Sequence, residues 1–316
     1  MTEEAQTQST SKRTSKRKKT HLELSAERPE WLKVKLRDQD SVDEVSDMMR
    51  ELRLTTVCEE ARCPNLFECW AEHRTATFML MGEICTRHCG FCSVGKGKPG
   101  ALDPNEPENV AEATERLGLD HVVITSVDRD DLPDFGAGHF ARTIQVVRER
   151  VPSCKIEVLV PDFGGDPDAL EIVLDARPEV FNHNVETVPR LYRRARYGSD
   201  LERSLDVLRQ AGDARPDRIQ RTKSGLMVGL GESIDEVMEL LGMLRFVDVD
   251  VVTIGQYLQP TRGQLPIEKY YTPEEFAEMR SKALSMGFRH VESGPFVRSS
   301  YHAKKHVDEE SGAALG

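Results

Sequence analysis

A chain of 316 residues, 38% hydrophobic and 31% charged, has the composition of a soluble globular protein and the length of one α/β barrel or two smaller domains. Its net charge of −11 argues against broad nucleic-acid binding, which needs a basic surface against phosphates, and no apolar run approaches a membrane span. The chain contains no apolar signal-peptide core, so a cytoplasmic location is expected, where thiols stay reduced and disulfides are rare.

Residues 1–27 are expected to form a disordered basic tail. Lys12, Arg13, Lys16, Arg17, Lys18 and Lys19 stand among Ser and Thr with no apolar anchor, which leaves too little surface to bury. The tail either touches an anionic surface or is simply solvated. Order is expected to begin near residue 28, with Trp31 and Leu32 as anchors. A helix is predicted over 41–54, capped by Ser41 or Asp43, because Val42, Val45, Met48, Met49 and Leu52 recur near the 3.6 period.

Six of the seven cysteines follow within 58–92. Cys58, Cys63 and Cys69 are spaced x₄ and x₅, on an N-terminal extension over 28–76. Cys85, Cys89 and Cys92 are spaced x₃ and x₂, immediately after a strand predicted at 77–81. Three soft donors on one loop can wrap a single centre, and thiolates select iron–sulfur clusters, zinc or Cu(I). A cubane cluster takes four protein ligands, so each triplet leaves one metal corner for something else. Structural zinc, completed by His73 or His88, competes with this reading, although zinc modules favour repeated C-x₂₋₄-C pairs.

Beyond Cys92 strand-like runs at 121–125, 156–160, 180–182, 225–228 and 249–254 alternate with helix-like segments at 110–117, 140–150, 169–176, 201–210, 234–246 and 273–286. Strands separated by crossovers imply a parallel sheet. Six units predict an α/β fold, a partial (β/α)6 TIM-type barrel over 77–288, with a doubly wound open sheet as the runner-up. Polar clusters close several strands. Asp128, Asp130 and Asp131 follow the second, Asn182, His183, Asn184 and Glu186 the fourth, and a glycine-rich run over 225–232 the fifth. At any one strand such residues can merely cap a helix; gathered on one rim they mark a site. His183 reads as a support residue rather than a base.

The segment Cys85-Thr-Arg-His-Cys89-Gly-Phe91-Cys92 resembles the cluster loop of the radical S-adenosylmethionine (SAM) enzymes. The preceding triplet, with Thr125–Asp134, Asn182–Thr187, Gly225–Glu232, Gln256–Pro260 and Arg298-Ser-Ser-Tyr301, narrows the resemblance to the lipoyl synthase family. The resemblance implies two [4Fe-4S] clusters, one on Cys85, Cys89 and Cys92 that binds SAM, the other on Cys58, Cys63, Cys69 and Ser300, the serine oxygen serving as fourth ligand. It implies SAM contacts at Phe91, Asn182, Asn184 and Glu186, and extensions at 28–76 and 289–316 that carry the auxiliary cluster. A radical made from SAM would remove hydrogen from C6 and C8 of a protein-bound octanoyl chain, with sulfur taken from the auxiliary cluster. Implied partners are an octanoylated lipoyl carrier domain (a 2-oxoacid dehydrogenase E2 or a glycine-cleavage H protein), an electron donor such as ferredoxin or flavodoxin, and a cluster-repair protein. No nucleic acid and no membrane are expected. A biotin synthase-like enzyme and a zinc-stabilised binding protein are the alternatives. Phe135, Ser224 and Tyr197 depart from the family, which commonly has glycine, threonine and proline there. Cys154, on an alternating apolar strand, reads as core.

Overall fold

The computed structural model describes residues 29–32, 39–60, 63, 65–66, 77–301 and 303. The basic tail, Cys69, His73 and residues 304–316 therefore lie outside the described residues. Helix α1, Gln39–Glu51, buries the apolar stripe expected of it, Val42, Val45, Met48 and Met49. Leu32 is fully buried, whereas Trp31 is 40% exposed. Only one of the two expected anchors is used, because adjacent residues on a helical turn do not face the same way.

Seven strands form one sheet: β1 Thr77–Leu80, β2 His121–Ser126, β3 Lys155–Leu159, β4 Val180–Asn182, β5 Arg221–Val228, β6 Val251–Gln256 and β7 His290–Gly294. They lie in chain order and every neighbouring pair is parallel. Between them run α2 Glu106–Leu117, α3 Ala137–Arg150, α4 Pro167–Asp175, α5 Leu201–Asp213, α6 Ile234–Phe246 and α7 Pro273–Ser285. This is the expected α/β class and strand order. Among the described residues β1 and β7 do not pair, so the sheet is an open, partial barrel. Among the described residues, too, no helix is long and apolar enough to cross a membrane.

The sheet runs one strand beyond the six expected. His290-Val-Glu-Ser-Gly has a single large apolar residue, so no period-2 signal marks it; pairing with β6 from Val251↔His290 to Gly255↔Gly294 makes it a strand. Tertiary context overrides weak propensity here.

Local signals set the helix starts. Asp166 accepts from the Asp168 and Ala169 amides at α4, and Asp200 from Arg203 at α5. Full capping boxes, Ser233 with Glu236 and Thr272 with Glu275, open α6 and α7. One apolar cluster packs α1–α4 against β1–β4, and a second packs α6 and α7 against β5–β7. Cys154 lies in the first cluster, 4% exposed, as the core reading expects. The inward strand positions are polar. Lys223 and Glu157, both fully buried, pair at 2.7 Å, and Asn182 donates to the same carboxylate at 3.2 Å. A buried charge persists only when paired and hydrogen-bonded in this way.

Candidate functional site

Met81 and Gly82, with φ of 69° and 89°, turn the chain out of β1 and into the downstream cysteine loop. Two short pairings fold the loop on itself: Ile84–Cys85 runs parallel to Gly95–Lys96, and His88–Cys89 runs antiparallel to Arg196–Tyr197. Gly95 is needed, since a Cβ there would lie 2.8 Å from the Glu83 carbonyl oxygen. Gly90 donates its N–H to the Ala195 carbonyl at 2.8 Å and accepts from Leu265 at 2.9 Å. The Gln264 side-chain amide donates to the Cys92 carbonyl at 3.2 Å.

An ionic knot holds the loop from behind. Arg87, 7% exposed, reaches Asp130 and Asp162 at 2.7 Å each and Asp128 at 3.3 Å. Thr86 donates its N–H and its hydroxyl to the Asp128 carbonyl at 3.1 and 3.0 Å. The capping alternative for the aspartates after β2 is not what the structure shows: Asp128 and Asp130 grip the cysteine loop, and Asp131 pairs with Arg129 at 2.8 Å. The carboxylate that meets the start of α3 is that of Asp134, just ahead of the helix, which accepts from the Gly136 and Gly138 amides at 3.0 and 2.9 Å. Asp162 enters from the loop after β3, so three strand ends converge on one guanidinium.

Burial pushes the Cys85 and Cys89 thiols up to about 12. At Cys85 the Asp128 carboxylate, 3.5 Å from Sγ, adds to the effect; at Cys89 the Arg196 guanidinium opposes it. Cys92 is raised by burial as well. Left alone these thiols keep their protons, and a soft metal centre supplies the positive charge that three half-buried thiolates require. The donor set therefore fits an iron–sulfur cluster. Among the described residues no three His, Cys, Asp or Glu side chains enclose a single metal ion; a cubane instead asks for one thiolate per iron.

The upstream stretch meets the same rim. Cys58 is buried on the short helix Val57–Glu60, and the Cys63 N–H donates to the Cys58 carbonyl at 3.0 Å. Ser93, next to Cys92, donates its hydroxyl to the Glu60 carbonyl at 2.7 Å. Asn65 donates to the Phe296 carbonyl at 2.7 Å. The Cys63 thiol is raised by burial and drawn down by the Arg298 guanidinium. The segment after β7 sits on the end of β6, where a Cβ on Gly255 would collide with the Val297 carbonyl. Beyond it the Asn184 amide donates to the Ser299 hydroxyl at 2.7 Å. Described portions of both cysteine stretches and the Arg298–Tyr301 segment thus share one rim. Cys69 lies outside the described residues, and the Ser300 carbonyl accepts from Ala303 at 3.3 Å.

Asn182, Asn184 and Glu186 come together at the end of β4. Asn184 donates to Glu186 at 3.1 Å, and the Oδ1 atoms of Asn182 and Asn184 are buried without a hydrogen-bond partner among the described residues. Such orphaned acceptors are open to donors from a ligand or an ordered water. Gly225 keeps the space open, since a Cβ there would lie 2.8 Å from Asn184 Oδ1. Glu186 has φ 67°; burial raises its carboxyl while Arg196 and Asn184 favour the charged form. Phe91, half-buried, packs against the second core cluster. His183 is inert as a base: Nδ1 lies 2.8 Å from the Val160 carbonyl and Nε2 3.0 Å from the Ser204 hydroxyl. Burial and Arg196 push it down to about 4. The glycine-rich run is braced by Glu232, which accepts from the Gly229 and Leu230 amides at 2.6 and 2.9 Å.

Arg87, Asp162, Arg196 and Arg298 were missed by sequence reasoning. Arg87 stands between two cysteines of the loop, but which carboxylates would answer it depends on strand order. Phe135, where the family commonly has glycine, does adopt a left-handed φ of 54°. Its ring fills the space over Gly164, where a Cβ would lie 2.9 Å from it.

Residues 79–244 match the Radical SAM superfamily, and residues 1–63 match the N-terminal domain of lipoyl synthase. The lipoyl synthase of Chloroflexus aurantiacus is 58% identical over 280 residues, 89% of this chain and 90% of that protein. That of Staphylococcus epidermidis is 52% identical over 290 residues, covering 92% and 95%. The fold is similar to that of Streptococcus suis SuiB bound to precursor peptide SuiA, with a TM-score of 0.53 at 12% identity, covering 73% of this chain and 52% of that one. It is also similar to methylornithine synthase PylB, with a TM-score of 0.50 at 15% identity over 82% and 79%. Those two likenesses concern the fold alone.

Proposed function

The chain belongs to the lipoyl synthase family of the Radical SAM superfamily, and from that premise we propose how its own residues divide the work. It is an enzyme, a sulfurtransferase that uses SAM and a [4Fe-4S] cluster. Cys85, Cys89 and Cys92 hold that cluster; Cys58, Cys63, Cys69 and Ser300 hold a second, auxiliary one. When bound, these groups supply hydrogen abstraction at C6 and C8 of a protein-bound octanoyl chain and the sulfur that replaces each hydrogen, chemistry beyond any side chain.

The protein's part is placement. Arg87 and its three aspartates keep the downstream loop in one geometry, so that three thiols point at one centre. Asn182 and Asn184 offer buried acceptors to SAM, with Glu186 held ready by Arg196 and Phe91 closing one side. Asn184 engages Ser299, which supports Ser300 as the oxygen ligand. Residues 28–76 and the segment beyond β7 bring the auxiliary ligands to the barrel rim, and burial of the thiols excludes water.

One observation carries the reading. The Ser93 hydroxyl reaches the Glu60 carbonyl at 2.7 Å, joining the two cysteine stretches so that a radical made at one can be quenched at the other. The substrate is an octanoylated carrier domain of a 2-oxoacid dehydrogenase or glycine-cleavage protein. A ferredoxin or flavodoxin supplies electrons and a cluster-repair protein rebuilds the donor. The test is anaerobic incubation with an octanoyl-lysine peptide, SAM and reductant, followed by the peptide's mass. Wild type is expected to add two sulfurs. Cys58→Ala is expected to add none while still cleaving SAM, and normal product from that variant would overturn the donor assignment.

A further inference from the structure

Residues 190–197 read Arg-Leu-Tyr-Arg-Arg-Ala-Arg-Tyr, four arginines in eight positions of a chain whose net charge is −11. Arg196 turns inward and donates to the Asn184 carbonyl at 2.8 Å. Arg190 and Arg194 pair with Glu236 and Glu268 at 2.7 and 3.3 Å. Arg193 is exposed with no partner among the described residues. Tyr197 is 68% exposed, a large aromatic side chain that core packing does not explain.

This stretch is laced to the downstream cysteine loop. His88, exposed, pairs with Tyr197, and Gly90 binds both Ala195 and Leu265 through its backbone. Lys96, also exposed, donates from Nζ to the Cys89 carbonyl at 3.0 Å. The turn that carries Gln264 onto Cys92 presents Arg262 to solvent, again with no partner among the described residues. The result is a collar of exposed groups, Lys96, Arg193, Arg262, His88 and Tyr197, on segments bonded to the downstream cysteine loop. Glu83, Asp130 and Glu268 are exposed acids on the same segments; Asp130 is taken up by Arg87 and Glu268 pairs with Arg194.

We propose that this collar is the docking surface of an acidic one-electron carrier protein that reduces the cluster held by Cys85, Cys89 and Cys92; the proposal rests on that cluster assignment. Redox encounters are small and transient, are steered by complementary charge, and favour Arg and Tyr at the contact. Cys89 is one residue from solvent-exposed His88, so the electron's path to a ligand is short. The other protein partner, the octanoylated carrier, must deliver its acyl arm between the two cysteine stretches, where Ser93 meets Glu60. The collar's contacts all go to residues 88–92 and 96 instead. In the step, the carrier's flavin or iron–sulfur centre is oxidised by one electron and the cluster is reduced by one.

The experiment follows cluster bleaching by stopped-flow absorbance, with reduced bacterial flavodoxin as the probe and photoreduced deazaflavin, which is neutral, as the control. Arg193→Glu combined with Arg262→Glu is expected to slow reduction by flavodoxin at least about tenfold at low salt and to flatten its salt dependence, with deazaflavin reduction unchanged. Tyr197→Ala is expected to slow it about threefold. Wild-type flavodoxin rates in the double variant overturn the proposal. So does an unchanged flavodoxin rate accompanied by weaker binding of an octanoylated carrier domain, which would make the collar the substrate's seat. A preparation with no iron–sulfur absorption overturns the functional reading itself, and this proposal with it.

Discussion

The two cysteine stretches are held in opposite ways. Around Cys85–Cys92 the fastening is ionic, buried and drawn from several strand ends: Arg87 with Asp128, Asp130 and Asp162, and Arg196 with Glu186 behind them. Around Cys58 and Cys63 the described links to distant segments include two neutral hydrogen bonds, Ser93 to Glu60 and Asn65 to Phe296, while the Glu59 carboxylate accepts from Ser46 and Thr56 at 3.3 Å each and Arg298 lies near Cys63. Breaking a buried ion pair from one side costs several kcal/mol, whereas a neutral hydrogen bond contributes about 1 kcal/mol net. A cage that persists through many turnovers suits the first kind of support. On the proposed division of work, a cage that is emptied and refilled suits the second.

The sharpest way to break that contrast is Arg87→Ala. It leaves Asp162, which is fully buried, with the Gly164 amide at 3.0 Å and Arg203 at 3.4 Å as its one remaining cation among the described residues, and is expected to destabilise the fold by about 3–5 kcal/mol. Thermal unfolding and iron content check it. Arg87→Lys should recover little, since a point charge cannot serve three carboxylates; full recovery would mean that charge alone holds the loop.

The same framework makes stability depend on pH. His183 titrates near 6.5 when unfolded and at about 4 when folded. The unfolded chain therefore binds more protons between these values, and the neutral buried ring's contribution is complete above pH 6.5. It is lost as pH falls toward 4, up to about 3 kcal/mol. Denaturant melts at pH 7 and 4.5 measure the slope, which His183→Gln is expected to flatten. An unchanged slope would assign the pH dependence to other groups.

Ser93→Ala tests the weaker fastening. About 1 kcal/mol or less of stability is expected to be lost, while the ratio of sulfur-bearing product to SAM cleaved falls several-fold. An unaltered ratio would mean that Glu60 is positioned without Ser93. The smallest effect concerns Phe135. Because its φ is 54°, Phe135→Gly is expected to be more stable than Phe135→Ala by about 1 kcal/mol, as read by thermal melts. The reverse order would show that this turn relaxes when the ring is removed.

Much of this molecule was legible before any coordinates. Strand and helix alternation is strong from β2 onward because fully buried parallel strands carry continuous apolar runs, such as His121-Val-Val-Ile-Thr-Ser. Strand β7 was not legible, since its residues suit a strand only beside β6. At the site, the cysteine spacings and the Asn182–Glu186 cluster could be read because their ligands are close in sequence. The Arg87 knot could not, because its partners lie 41, 43 and 75 positions away and any aspartate ahead of a helix also resembles a cap.

By itself the sequence determined the kind of chemistry: thiols at fixed short spacings, with one corner wanting on each, are a local property that any fold must inherit. That the described parts of the two cysteine stretches meet was decided only by tertiary structure. The end of β1, the turn after α1 and the segment beyond β7 are brought to one rim by parallel strand order. Hydrogen bonds such as Ser93 to Glu60 exist only once that order is in place.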